Sequence, residues 1–414
     1  MKREILSNLD NPGQLERLYR TDKSTFKRAF TALYPELKDS VLVHFWRERL
    51  HYTSEEVSWG SGKDLVFVIF ASLLAGIIAK LPAFLSLNEE LFYSRNAGFI
   101  IFPLLTAYFV WKNKLSTGKI AFIAGAILTG LIFINLLPGI NERDTSILSC
   151  IHLLLFLWSV LGFAFVGDIR NNSEKKLLFL KYNGDLIVIT TLILISGAIL
   201  TGITIGLFSL IGLNIEKFYF ENIVIFGLPA APIAGTYLIR TNPQLVGRVS
   251  PVIARIFSPL VLVMLVIYLA AMIYSGKNPY NDREFLLIFN ALLVGVMAII
   301  FFSVAEASGT TRSRMEIWIL LLLSVVTILV NGIALSAILF RIAQGGITPN
   351  RAAVLGGNVL ILLNLLLVTA QLFRVSSKKA DISGVGKAIA SYLPVYFLWT
   401  VIVTFLFPFL FGFK

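Results

Sequence analysis

The sequence predicts an all-α fold: a polytopic integral membrane bundle of about eleven transmembrane helices, preceded by a small helical cap. Three observations carry this. Hydrophobic residues make up 57% of the 414 and charged residues only 14%, against about 25% charged in soluble domains. A mean hydropathy of +0.80 means more apolar surface than a soluble fold can hide. The apolar residues fall in runs of about 20, enough to cross the hydrocarbon as a helix, rather than in the alternating segments of a membrane barrel.

Residues 1–64 come first and read as a cytoplasmic amphipathic cap, in which 11 Lys and Arg nearly balance 10 Asp and Glu. "NPG" at 11–13 marks a turn. Beyond it Leu15, Leu18, Phe26, Ala29, Phe30 and Leu33 recur at helical spacing, and Leu42, Phe45, Trp46 and Leu50 do so again. This predicts two or three short helices packed on one another and on the membrane face. Such a cap either stabilises the bundle or docks a cytosolic protein partner. No cleavable leader is read, because the first apolar run begins near Leu65.

The membrane bundle, 65–414, holds eleven apolar runs at about 65–87, 97–111, 120–140, 147–167, 186–212, 218–239, 257–275, 285–305, 315–340, 352–373 and 388–413. The run at 97–111 is the weakest, being short and interrupted by Pro103. With the N-terminus in the cytoplasm, inside loops carry 16 Lys and Arg and outside loops carry 7. Cytoplasmic loops retain positive charge, so this threading puts the N-terminus inside and, after an odd number of crossings, the C-terminus outside. The same bias accounts for the net charge of +12. No basic stripe with interleaved aromatics suggests a nucleic-acid partner.

Polar residues inside the runs are the candidate site. Glu221 and Glu306 stand at run ends, and Asp168 and Asp185 flank runs, so no carboxylate lies mid-span. That argues against a carrier driven by a titrating acid at depth. Lys80 precedes Pro82 and lies roughly 10 Å from the outer end of its run. It either snorkels to the interface or lines an outward-facing cavity as an anion contact. Asn331 and Asn358, with Asn290 and Asn364, either join helices through hydrogen bonds or line that cavity. His152 reads as interfacial. "GAILTGITIG" (197–206) has the small residues of a helix-contact face.

"GGITPNR" (345–351) reads as a helix end and a new start: Gly345 and Gly346 free the chain, Thr348 caps, and Pro349 suits the first turn. Arg351 then stands at the positive end of a helix dipole and calls for an anion. That anion is either an outer-loop acid such as Asp282 or Glu284, or a bound phosphate-like group. Arg341 lies toward the same face. "FGLPAAPIAG" (226–235) is expected to break the sixth span, since Pro229 and Pro232 remove bonds to Ile225 and Leu228. Gly227, Pro229, Pro232 and Gly235 then form a static kink, a hinge for alternating access, or a patch of freed carbonyls for a ligand.

One cysteine permits no internal disulfide, and there is no HExxH, Cys/His cluster or Walker motif. No catalytic residue, metal ligand or cofactor is therefore assigned. "SPLVLVMLVIYLAAMI" (258–273), "KNPYND" (277–282) and "GITPNRAAVLG" (346–356) resemble the multi-pass bacterial membrane proteins of domain-of-unknown-function family 4153. "NPGQLERLYR" (11–20) and "SWGSGKDLVF" (58–67) resemble its Bacteroidetes-type members. The resemblance implies a bacterial inner-membrane protein and supplies no substrate.

The residues point first to a non-enzymatic transporter or a lipid- or anion-handling protein, with an outward-opening cavity near the sixth span. Membrane lipids are its expected partners; oligomeric state is not legible. One alternative is an enzyme acting on a lipid-linked sugar or phosphate, with Glu89, Glu90, Glu142 and Asp144 as its acids. The other is a scaffold or sensor working through residues 1–64.

Overall fold

The computed structural model describes residues 1–9, 11–37, 41–51, 61–138, 143–167, 172–210, 213–275, 280, 283–307 and 314–413. The chain divides into two compact units, Met1–Ser58 and Trp59–Lys414.

The first unit contains α1 (Lys2–Ser7), α2 (Pro12–Thr21), α3 (Lys23–Leu33) and α4 (Val41–His51). The turn at 11–13 is a helix start: Asn11 accepts from Gln14 N at 3.2 Å and Pro12 fills the first turn. Asp22 caps α3 in the same way, accepting from Thr25 N at 3.0 Å. Leu15, Phe26, Phe30, Val43, Trp46 and Leu50 close into one core with Ile5. Phe45, expected on the inner face, is exposed instead. On α4, residues 43, 46 and 50 share a side at 3.6 residues per turn, and residue 45 lies about 100° away from 46.

The second unit is all helix among its described residues. Its elements are α5 (Gly62–Leu85), α6 (Glu89–Lys112), α7 (Thr117–Leu136), α8 (Asp144–Val166), α9 (Ser173–Leu210), α10 (Glu216–Tyr219), α11 (Ile225–Thr241), α12 (Pro243–Ser275), α13 (Arg283–Ala307), α14 (Arg314–Gly345), α15 (Pro349–Ser376), α16 (Ile382–Val401) and α17 (Phe407–Leu410). Ten described segments are long and apolar enough to cross a membrane, counting Glu216–Thr241 and Ile382–Leu410 as one each. The weakest run, 97–111, lies within α6, which has membrane length but is diluted by Glu89, Glu90, Arg95, Asn96 and Lys112. Short connections at 86–88, 113–116 and 346–348 make successive helices antiparallel neighbours. Many large apolar side chains remain on the outside, among them Ile199, Leu200, Ile203 and Leu207 of α9. Such a surface suits lipid rather than water.

Beside a small cluster of Leu148, Ala353, Val403 and Phe407, two large hydrophobic cores fill the bundle. One takes residues from α5, α6, α7, α8 and α11, with Phe179 and Tyr182 of α9. The other takes residues from α12 to α16, with Leu177 and Leu180 of α9. So α9 is a shared wall, showing opposite faces to the two cores. Trp158 of α8 packs against both.

The sixth span is not broken. Its helix runs continuously through Pro229 and Pro232, and the irregularity lies one turn earlier, as a π-turn at Phe220–Val224. A proline ring clashes with the carbonyl four residues back, and a locally wider turn ahead of it relieves that crowding. The last span repeats the device: a π-turn at Ile402–Leu406 precedes Pro408.

The expected contact face at Gly197–Gly206 is not one within this chain. The space beside Gly197, Gly202 and Gly206 is open. Close packing occurs at other glycines, each seating an aromatic ring: Phe226 on Gly76, Phe302 on Gly184 and Trp399 on Gly356. A Cβ at these glycines would fall 2.0, 1.9 and 2.1 Å from ring carbons, so only glycine lets those helices meet as they do.

Candidate functional site

Ion pairs and hydrogen bonds tie the helix ends into two opposite ends of the bundle. At the end where α5 starts, Lys112 Nζ lies 2.5 Å from Asp64 Oδ1. Asn113 donates to the Ala164 and Phe165 carbonyls at 2.9 and 3.0 Å. Arg255 pairs with Glu316 at 3.1 Å. At the other end Arg95 donates to the carbonyls of Asn135 and Leu137 at 3.1 and 2.7 Å. Tyr93 OH donates to Ala79 O at 2.8 Å.

Lys80 sits at that second end, in the last turns of α5. Its Nζ donates to Asn222 Oδ1 and lies 5.7 Å from the centre of the Phe84 ring. Asn222 belongs to the π-turn. Gly76, one turn before Lys80 on α5, seats Phe226, one turn after Asn222. A π-turn changes the residues per turn locally, and this one leaves Asn222 and Phe226 both against α5. Both described contacts of Lys80 are electrically neutral, an amide oxygen and a ring. The adjacent acid, Glu221, is exposed and paired with Lys217 at 3.8 Å. No described carboxylate answers the Lys80 charge.

The other candidates lie elsewhere. Arg351 turns back onto the end of α14, where Nη1 donates to Gly346 O at 2.7 Å. That carbonyl end is the negative pole of a helix dipole, so the cation is met locally. Thr348 caps α15 by accepting from Arg351 N at 3.4 Å, and Gly346 takes φ +74°, as a helix stop requires. Asp282 and the Glu284 side chain lie outside the described residues. Arg341 is half-buried. Asn331 Nδ2 donates to Asn358 O at 3.1 Å, and Asn358 Nδ2 to Asn290 Oδ1 at 2.8 Å. Both Asn331 and Asn358 are buried, and the chain of bonds joins α13, α14 and α15. Asn364 donates to Tyr396 OH at 3.1 Å, linking α15 to α16. The five expected ligand contacts therefore fall in three places. Lys80 borders the first core, Arg341 and Arg351 stand on either side of the α14–α15 connection, Arg351 next to the small cluster that includes Ala353, and the asparagines join α13, α14 and α15.

No protein-family model, curated protein or solved structure matches this chain.

Along α11, Gly227 faces open space, while Gly235 is pressed against α9, where a Cβ would sit 3.1 Å from Thr190 Oγ1. Pro229 is buried and Pro232 half-buried. One turn beyond Pro232, Thr236 Oγ1 bonds to Tyr182 OH of α9 at 2.8 Å. The lower part of α11 is thus fixed to α9, and the part above Pro229 is held to α5 through Phe226 and Asn222.

A second polar group escaped the reading by sequence. Asp185, expected to flank a span, is 5% exposed inside the 38-residue α9. Glu306, 7% exposed near the end of α13, lies at the same contact. Lys181, one turn before Asp185, places Nζ 3.2 Å from Glu306 Oε2. The i, i+4 spacing of Lys181 and Asp185 was the available signal; their partner on α13 is visible only in three dimensions. One turn before Glu306, Ser303 Oγ meets Ser258 Oγ at 3.1 Å, beside a cleft of about 20 Å³ also lined by Arg255 and Glu316, room for about one water.

Proposed function

We propose that this multi-pass membrane protein handles an anionic solute or lipid headgroup, as a transporter or lipid-handling protein, with Lys80 as the anion contact beside the sixth span. The observation that carries the reading is the pairing of Lys80 with neutral groups alone among the described residues. A half-buried cation held by an amide and a ring keeps its charge available, and a phosphate or carboxylate from outside the chain is its natural complement. The π-turn that supplies Asn222 lies next to the Gly227–Gly235 segment, so an anion at Lys80 bears on the contact that holds the start of α11 to α5.

The reading includes orientation: N-terminus cytoplasmic, C-terminus outside, in a bacterial inner membrane. The Lys and Arg bias between loops and the resemblance at 346–356 support it. The alternative enzyme gains no such support, since Glu89, Glu90 and Asp144 each stand in the first turn of a helix, where acids complement the dipole. Glu142 lies outside the described residues.

The test is the anionic lipid or phosphate retained by protein purified into nanodiscs of mixed charge. Lys80→Gln is expected to lower retention about fivefold, as for the loss of about 1 kcal/mol per basic contact, and Lys80→Arg to preserve it. Equal retention in all three proteins refutes the assignment.

A further inference from the structure

We propose that the anion met by Lys80 is the phosphate of a membrane phospholipid with a net negative headgroup, held on the outward flank of the α5–α11 seam; the assignment rests on Lys80 being an anion contact. The place of Lys80 on its helix points to a lipid rather than a solute in water. At about 100° per residue, Lys80 lies about 40° from Gly76 and about 20° from Leu73. Gly76 is where α5 receives Phe226 of α11. Leu73 is exposed, as are Ile77 and Phe84, both within about 60° of Lys80. Together they form the apolar stripe that α5 turns outward. Lys80 therefore stands on the border between the helix contact and the surface that lipid covers, and its own burial is intermediate.

The depth suits a headgroup. Leu85, the last residue of α5, lies five positions beyond Lys80, about 8 Å along the axis. An ammonium there reaches the phosphate layer at the end of its flexible stem, while the stem stays among acyl chains. Asn222 takes one of the three ammonium hydrogens, which leaves donors for a phosphate oxygen. The nearby acid, Glu221, is paired with Lys217.

The flank of α11 beside Lys80 has room for a chain. Asn222 and Phe226 face α5. Ile225, about 100° to one side of Phe226, packs against the first core. Ile223 and Gly227 fall on the opposite side, away from that core. Ile223 is 49% exposed, and nothing lies within 4 Å of a Cβ placed on Gly227. Gly227 follows the residue seated on Gly76, so it lies about one turn from Lys80 toward the middle of α5. A notch therefore opens below the cation, floored by Gly227 and walled by Leu73 and Ile77 on α5 and Ile223 on α11. Apolar walls accept an acyl chain and offer nothing to a hydrated phosphate ion. A zwitterionic headgroup brings its own ammonium to the site, whereas a net negative one leaves its charge for Lys80.

Photolabelling of the whole protein in phosphatidylcholine vesicles tests this. The probes, at equal amounts, are phosphatidylglycerol and phosphatidylcholine carrying a diazirine on the acyl chain. The phosphatidylglycerol probe is expected to label residues 73–77 and 223–228 several-fold more than the phosphatidylcholine probe. Lys80→Gln should cut that excess about fivefold, and Lys80→Arg should keep it. Gly227→Leu enters open space and fills the notch, so it should lower the excess with Lys80 still in place, a loss that a soluble anion at Lys80 would not show. Equal labelling by both probes, or an excess that survives Lys80→Gln or Gly227→Leu, overturns the lipid assignment. The phosphorus resonance of inorganic phosphate, with the protein in neutral detergent, then separates the two ideas. Broadening that depends on Lys80 keeps it as the contact for a soluble anion, and no broadening removes the anion contact as well.

Discussion

Replacing Gly184 by alanine puts a methyl group where Phe302 already lies. The added Cβ falls 1.9 Å from Cδ2 and 2.0 Å from Cε2 of that ring, where carbon atoms rest at about 3.5–4.0 Å. Relief takes a shift of about 1.5 Å or more in the ring or in α13. Overpacking of this kind costs about 1–3 kcal/mol, and the better helix propensity of alanine returns up to about 1 kcal/mol. Gly202→Ala supplies the comparison, because nothing lies within 4 Å of its Cβ position. Both substitutions lie within α9 and gain the same propensity, so the two variants are expected to differ by the overpacking cost, about 1–3 kcal/mol. Thermal unfolding in detergent, followed by fluorescence-detected gel filtration, should place Gly184→Ala several degrees below Gly202→Ala. Adding Phe302→Leu should recover part of the loss, with a coupling of about 1–3 kcal/mol. Equal melting of the two glycine variants, or no recovery with leucine, refutes the idea that this glycine sets the α9–α13 distance.

Three further expectations concern stability. Asn358→Leu removes the bond to Asn290 Oδ1 and should cost about 0.6–1.7 kcal/mol, the range for hydrogen bonds between membrane helices, measured by thermal unfolding. Lys112→Met strips Asp64, whose side chain is 9% exposed, of its 2.5 Å partner. It should cost about 1–3 kcal/mol, less than a fully buried pair because the lysine is 30% exposed, and Asp64→Asn in the same chain should return much of it; a neutral single substitution argues against the pair. Phe26→Ala, at a fully buried position in the first unit, should cost that unit about 3–5 kcal/mol, seen as faster proteolysis within residues 1–51 while the membrane unit stays intact.

The fold class followed from runs of apolar residues because lipid imposes one requirement on every span: about 20 residues with their backbone groups satisfied inside a helix. The helix start at Thr348 was legible for a similar reason, since a cap is a contact across three residues, whereas the stretch at 11–13 read as a turn and is in fact the capped start of α2. The stop at Gly346 was legible too, because only glycine readily takes its φ. The sixth span shows the limit of local reasoning. Pro229 and Pro232 each remove one bond of the ladder, yet the helix continues through both, and the irregularity falls at the π-turn of 220–224.

What the sequence determined alone is whatever neighbours along the chain decide: the apolar spans, the caps, the balance of loop charge and the amphipathic first unit. Tertiary structure decided which side chains meet. It set Lys80 against Asn222 rather than Arg341 or Arg351, spent the asparagines on joining helices, and left the space beside Gly197, Gly202 and Gly206 open among the described residues. It also closed Lys181 against Glu306, 125 positions apart in the sequence. The reason is physical. In a helix bundle every residue's environment depends on rotation about its helix axis and on the partner helix, and close approach is controlled by single glycines such as Gly76 and Gly184, whose packing role appears only once the ring that fills them is in place.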